Sequence, residues 1–421
     1  MQAGILTLDD FEFQDKTVLL RVDINSPIDR ASGGLADDNR LRKSLPTLRE
    51  LAGAGARTAV LAHQGDTEDY RSLVSLAPHA RRLAELLGRP VAFVPDICGP
   101  TAIERIRALQ SGELLLLENV RYLTEEVSTF VNFVKLTPEE MAATWLVRSL
   151  APLADLFVCE AIAAAHRSAP SLVGLAAALP AAGGRLFVDE LAALTRIKES
   201  PAQPCVFVLG GSRIADAFSM MEQVLGQGTA HRVLTGGLTG EVMLLALGHR
   251  LGEPTEQLIR DKGLWPFVER ARALLQTYGE RILYPTDLAV DEAGRRVELA
   301  LGDLPSDRLL VDVGAATVER YVEEIGQAAT IFANGPAGVY EREVSAVGTR
   351  RLWTAVADAG SSGGYSVIGG GDSVAAARRF GVDGRMGYVC TSGGGMVRFL
   401  SGQVLPVVEA LQRSARRQRG E

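Results

Sequence analysis

Residues 185–200 read RLFVDELAALTRIKES and stop against Pro201. Apolar residues recur there at helical spacing, and a proline cannot continue a helix, so the stretch predicts a helix ending near Ser200. On either side of it, short β-branched or leucine-rich runs alternate with longer amphipathic stretches, the pattern of a parallel sheet covered by helices. Before it the strand candidates are 17–23, 57–63, 91–95, 113–119 and 156–160; after it they are 205–209, 232–235, 282–286, 330–333, 366–368 and 388–391. The expected fold class is α/β, two doubly wound parallel-sheet lobes joined by a hinge helix. The expected division is an N-terminal lobe over 1–185, the hinge over 186–200, a C-terminal lobe over 201–400 and a tail over 401–421. The tail carries Arg413, Arg416, Arg417 and Arg419 and reads as a solvated, frayed end, with a return to the N-terminal lobe as the alternative.

The chain has 421 residues, 47% hydrophobic and 23% charged, which excludes a disordered or collagen-like chain and predicts about two domains. A net charge of −7 argues against a nucleic-acid partner. Lysine occurs only at 16, 43, 135, 198 and 262, so phosphate recognition must lean on arginine forks. Cys98, Cys159, Cys205 and Cys390 form no CxxC pair, so neither a zinc site nor a disulfide framework is expected. Residues 1–10 lack a signal-peptide pattern, and the longest uncharged stretch, 168–184, is interrupted by Pro180. A cytoplasmic protein without a membrane partner is expected.

In an open parallel sheet, ligands gather beyond the carboxyl ends of the strands. In the second half those ends meet glycines: Gly210-Gly211, Gly236-Gly237, Gly369-Gly370-Gly371 and Gly393-Gly394-Gly395. Without a Cβ, backbone N–H groups approach an anion closely, so the four clusters predict a nucleotide phosphate site, against the plainer reading of tight strand-to-helix turns. No GxxxxGK[ST] or strand-linked GxGxxG occurs, which excludes a P-loop and leaves a Rossmann site unsupported. Asp372 is suited to Mg²⁺ or, equally, to capping the next helix.

In the first half the strand ends meet charged and polar side chains instead: Arg21, Asp23 and Asn25, then Arg40, His63, Arg121, and His166-Arg167. Arginines collected at one sheet edge bind a phosphate or carboxylate bidentately. The five histidines never occur at HxxxH spacing and no GxSxG is present, so a zincin and a serine hydrolase are unsupported.

Eight blocks, RVDINSP (21–27), DDNRLR (37–42), LLLENVRY (115–122), AAAHRS (163–168), VLGGSRIAD (208–216), NGPAGVYE (334–341), GGGDS (369–373) and TSGGG (391–395), resemble the phosphoglycerate kinase family in order, its archaeal-type branch most. The resemblance runs from about residue 17 to 411. It implies an N-terminal lobe binding 3-phosphoglycerate, a C-terminal lobe binding Mg-ATP, hinge closure between them, and a glycolytic, usually monomeric enzyme. By resemblance, Asp23, Asn25, Arg40, His63, Arg121 and Arg167 match acid-substrate positions. Gly210, Gly211, Arg213, Gly237, Asn334, Pro336, Glu341, Gly371, Asp372 and Ser373 match nucleotide positions, with Glu341 at the ribose and Asp372 at the metal. Arg40, Arg213 and the backbone of Gly371 and Gly394 are the expected catalytic groups.

Three departures from the family pattern stand out. Its GGAK lysine is Arg213 here, a second lysine is Ala217, and the arginine that usually follows the His-x-Gly segment is Asp66, in HQGDTEDY (63–70). A carboxylate beside a dianionic phosphate would repel it. The expectation is that this loop points elsewhere, leaving Arg40, Arg121 and Arg167 to bind substrate, helped by Arg71. The alternatives are a paralogue that phosphorylates a different carboxylate, or a non-catalytic nucleotide-binding protein.

Overall fold

The computed structural model describes residues 4–29 and 33–421. Its contacts separate two compact units, the chain up to Ala192 together with Val404–Glu421, and Ala193–Gln403. The helix Arg185–Glu199 crosses that division.

The first unit contains six parallel strands, β1 (Thr17–Arg21), β2 (Arg57–Leu61), β3 (Ala92–Phe93), β4 (Leu114–Leu116), β5 (Leu156–Cys159) and β6 (Ala181–Gly183), in the order β3-β4-β2-β1-β5-β6. Runs such as TVLLR are buried throughout because helices cover both faces, which is why they read as continuous apolar stretches. β1 lies between β2 and β5, so the chain leaves it in opposite directions on its two sides, the switch point beyond whose carboxyl end open parallel sheets place their ligands. β6 falls inside the Gly/Ala-rich stretch and was not among the strand candidates.

The second unit has a six-stranded parallel sheet, β7 (Cys205–Leu209), β8 (Arg232–Thr235), β9 (Ile282–Leu283), β13 (Thr330–Asn334), β14 (Tyr365–Gly369) and β15 (Tyr388–Val389), ordered β15-β14-β13-β7-β8-β9. Alternate residues feed two separate cores. Phe207, Val233, Phe332 and Val367 pack on one face, Val206, Leu234, Ile331 and Ile368 on the other. An antiparallel sheet, β10 (Asp287–Glu292), β11 (Arg295–Ala300) and β12 (Leu310–Val313), lies outside the expected pattern. Its hairpin turns at Ala293-Gly294, both at positive φ, a two-residue turn signal present in the sequence.

The tail corrects its expectation of fraying. Pro406–Arg419 is a helix whose Val407, Val408, Leu411 and Ala415 are buried in the first unit. Ser414 Oγ accepts from the β6 backbone at Ala181 (3.0 Å) and Arg417 donates to Ala176 O (2.8 Å). An apolar stripe at helical spacing outweighs the arginines, which stay exposed.

Candidate active site

In the first unit, Arg40 occupies the first turn of the helix Asn39–Gly53, where a cation opposes the helix dipole. The Asp23 carboxylate offsets that cost, with Arg40 Nη1 2.5 Å from its Oδ1. Burial alone would raise the Asp23 carboxyl, but the Arg40 guanidinium, through its charge and its hydrogen bond, holds it well below the usual carboxylate range. His63 is buried, and desolvation pushes its imidazole well below its ordinary value. Arg21 Nη2 lies 3.1 Å from His63 Nδ1; an arginine can only donate, so Nδ1 accepts and the neutral ring carries its proton on Nε2. Arg21, itself buried, is anchored by Ser171 Oγ (3.1 Å), which in turn donates to Glu126 (2.7 Å).

Two short-range devices bring the next strand ends to this cluster. Asn119 Oδ1 accepts from Gln64 N and Arg121 N, both at 3.1 Å, and its Nδ2 donates to Gln64 O at 2.8 Å, tying the turn after β4 to the turn after β2. Gly65 N donates to Asn25 Oδ1 (3.1 Å), with φ +69° and no room for a Cβ, which would lie 2.5 Å from Leu73 N.

This geometry aims Asp66 inward and overturns the expectation that its loop points elsewhere. Its Oδ2 pairs with Arg121 Nη1 and with Arg167 Nη1 (3.2 Å), and accepts from Ser128 Oγ, which also receives Arg167 Nη1. Burial would raise the Asp66 carboxyl, but the Ser128 hydroxyl and the Arg121 guanidinium hold it well below the usual range. Arg71 contributes nothing here: it is exposed and stacks over Tyr70. All six residues singled out for acid binding, Asp23, Asn25, Arg40, His63, Arg121 and Arg167, thus meet at one edge of the first sheet. Ser128 joins them without a sequence signal, since it stands in no motif and arrives through tertiary contact; Gln64 lies within the His-x-Gly segment but was not singled out.

In the second unit the loops after β7, β8 and β13 press backbone against backbone. Gly335 has φ +89°, and a Cβ there would sit 2.1 Å from Gly210 O. Gly210 N donates to Asn334 O (2.9 Å), Gly211 N to Pro336 O (2.7 Å) and Gly237 N to Ala337 O (2.7 Å). The N–H groups of Gly210, Gly211 and Gly237 are therefore already engaged, and their role as phosphate donors is corrected: these glycines permit close packing at the switch point between β7 and β13. The N–H of Gly371 is different. It opens the helix Gly371–Arg379, so it has no intrahelical acceptor, and Gly394 opens Gly394–Leu400 in the same way.

Ser373 is buried, and its Oγ accepts from Gly335 N (2.6 Å), joining the β14 and β13 loops. Asp372, Glu341 and Arg213 are exposed, Arg213 at the N-cap of Ile214–Gly226 without a capping side-chain bond. Among the described residues no group of three or more His, Cys, Asp or Glu gathers as a metal site. A lone exposed carboxylate fits Mg²⁺ arriving on a nucleotide, whose phosphate oxygens supply the remaining ligands.

A family model described as Phosphoglycerate kinase matches residues 8–403. The chain is 42% identical over 411 residues to the phosphoglycerate kinase of Methanobacterium bryantii, covering 98% of each. The crystal structure of phosphoglycerate kinase from Pyrococcus horikoshii OT3 superposes with a TM-score of 0.88 at 40% identity, over 97% of this chain and 99% of that one. That from Coxiella burnetii gives 0.81 at 30% identity, over 98% and 100%. The chain belongs to the phosphoglycerate kinase family. It is accordingly a transferase that phosphorylates a carboxylate, on the two parallel-sheet α/β units of that family. Within a phosphoglycerate kinase frame, the arginine cluster and the glycine-walled loops each fall at a sheet's carboxyl edge, while Asp66 brings a carboxylate into the first of them. Among the described residues no helix is long and apolar enough to cross a membrane, and no disulfide joins any of the four cysteines.

Proposed function

We propose that the chain catalyses reversible phosphoryl transfer between Mg-ATP and the carboxylate of 3-phosphoglycerate, giving 1,3-bisphosphoglycerate and ADP, as a cytoplasmic, monomeric enzyme of glycolysis and gluconeogenesis. The observation that carries it is the convergence of Arg40, His63, Arg121 and Arg167 on one sheet edge within a full-length family match. The substrate carboxylate is itself the nucleophile and attacks the γ-phosphorus in line, so the protein's work is positioning and charge neutralisation. Arg121 and Arg167 hold the distal phosphate, His63 Nε2–H donates to the acid, and Asp23 fixes the Arg40 fork. Arg40 is the charge that meets the transferring phosphoryl group.

On the nucleotide side, the N–H groups of Gly371 and Gly394 cradle phosphate, Arg213 follows its charge, Asp372 meets the magnesium carried by the nucleotide, and Glu341 meets the ribose. Gly210, Gly211, Gly237, Asn334, Pro336 and Ser373 shape the wall. Attack requires both substrates in contact, so turnover needs closure about the hinge helix, which also excludes water. Mg-ATP-dependent consumption of 3-phosphoglycerate, followed by coupled NADH oxidation, tests this reading; folded protein without turnover refutes it.

A second reading, a kinase for an acid without a distal phosphate, is favoured by one observation, Asp66 seated on Arg121 and Arg167. It predicts ATP consumption with another carboxylate and weak 3-phosphoglycerate activity.

A further inference from the structure

Asp66 receives a set of donors that a phosphate group would receive. Its Oδ2 faces Arg121, Arg167 and the Ser128 hydroxyl, and its Oδ1 accepts from Thr67 N (2.8 Å) and Ser128 N (3.3 Å). The carboxylate is held there by its own backbone: Gly65 donates to Asn25, and Gln64 is bound on both its N–H and its C=O by Asn119. Its side chain is 17% exposed, and that of Arg121 only 3%. The residues that follow, Thr67 to Arg71, are all exposed. The anion thus sits at the buried root of a solvent-facing loop, a place from which it can be turned outward while Gly65 stays fixed.

We propose that Asp66 is a tethered anion in the phosphate-binding corner of the acid site, and that it sets acid specificity by making a ligand's phosphate compete with it for Arg121 and Arg167. The inference rests on the acid-site assignment made under the proposed function. Two guanidinium groups with one carboxylate between them carry roughly half the charge they would offer alone, while a phosphomonoester brings about −1.5 to −2 at neutral pH. A phosphate entering beside Asp66 meets a like charge, and one that displaces it gives back the Asp66 contacts. Either route weakens phosphate-bearing acids and leaves acids lacking that group untouched, so the residue narrows the advantage 3-phosphoglycerate holds over glycerate.

The test uses the full chain as wild type, Asp66→Asn and Asp66→Ser, with calorimetric titration of 3-phosphoglycerate, glycerate and inorganic phosphate and with steady-state kinetics. Both variants are expected to bind 3-phosphoglycerate about tenfold more tightly, with KM falling in step and kcat little changed. Inorganic phosphate should gain as well; glycerate should not. Unchanged or weaker 3-phosphoglycerate binding by variants that melt like wild type overturns the inference, as does an equal gain for glycerate. Thermal melting monitored by circular dichroism identifies which variant is folded and fit for the comparison. If no variant turns over 3-phosphoglycerate yet phosphate still binds more tightly, the tethered anion stands and the phosphoglycerate reading falls. Turnover without any gain in affinity has the opposite meaning.

Discussion

At the carboxyl edge of the first sheet, the chemistry is carried by side chains that hold one another: Asp23 on Arg40, Arg21 on His63, Asp66 on Arg121 and Arg167. At the corresponding edge of the second sheet, it is carried by backbone, with Gly210, Gly211, Gly237 and Gly335 packed on one another and the first N–H groups of two helices left for a ligand. The first arrangement costs charge burial and recovers it by pairing, so it is sensitive to the loss of any single partner. The second depends on the absence of Cβ atoms, so it is sensitive to added volume. Two chemically different edges thus sit on two sheets of the same kind.

The sharpest way to break the first region is Arg40→Ala. Its charge is needed most as the phosphoryl group transfers, so kcat should fall about 10³-fold while KM rises less than tenfold. Equal losses in both, from steady-state kinetics, would remove Arg40 from the transition state. The second region is broken by volume: Gly335→Ala places a Cβ on Gly210 O at a backbone angle that favours glycine, and should destabilise the protein by about 3 kcal/mol in urea melts. Mg-ADP affinity should fall with it, and 3-phosphoglycerate binding should survive wherever the variant is folded.

A third variant compares how the two regions treat a buried carboxylate. In the second unit Glu241, in the helix Gly237–Ala246, is 5% exposed; its Oε2 has no hydrogen-bond partner among the described residues, and burial pushes its carboxyl up to about 8. A raised folded value means that stability is highest below the ordinary glutamate range and falls as pH rises from about 4.5 to about 8. Glu241→Gln should remove that slope and stabilise the protein by about 2 kcal/mol at pH 8, read from denaturant midpoints across pH. Asp66 behaves oppositely: its value is depressed, so its contribution is present above the ordinary aspartate range and lost as pH falls through it. Asp66→Asn should therefore flatten the acid limb alone.

The smallest effect is expected from Arg213→Lys. It restores the compact, mobile charge the family usually carries, and kcat should rise by about two- to fivefold with Mg-ADP affinity unchanged. A fall in kcat would show that the planar guanidinium is fitted to this site.

Local patterns made much of this legible. Parallel strands buried on both faces appear as continuous apolar runs, so all eleven strand candidates overlap a strand of the structure. The missed elements had weaker signals: β6 is only three residues of Ala and Gly, and the β10–β11 hairpin announces itself by the single pair Ala293-Gly294. The arginines were visible because each stands in a short motif at a strand end or in the segment beyond it. Ser128 was not, because it meets Asp66 across 62 positions of chain.

Composition, period and motif order by themselves determined the α/β class, the two sheets, the side-chain edge and the glycine edge, since each is written within a few neighbouring residues. Only the tertiary structure decided that Asp66 turns into the arginine cluster, that the glycines of β7 and β8 donate to the β13 loop rather than outward, and that the arginine-rich tail is a packed helix. The physical reason is the same in all three cases. A charge, an N–H group or an apolar stripe takes the partner that the fold brings within reach, and that partner lies scores to hundreds of residues away along the chain.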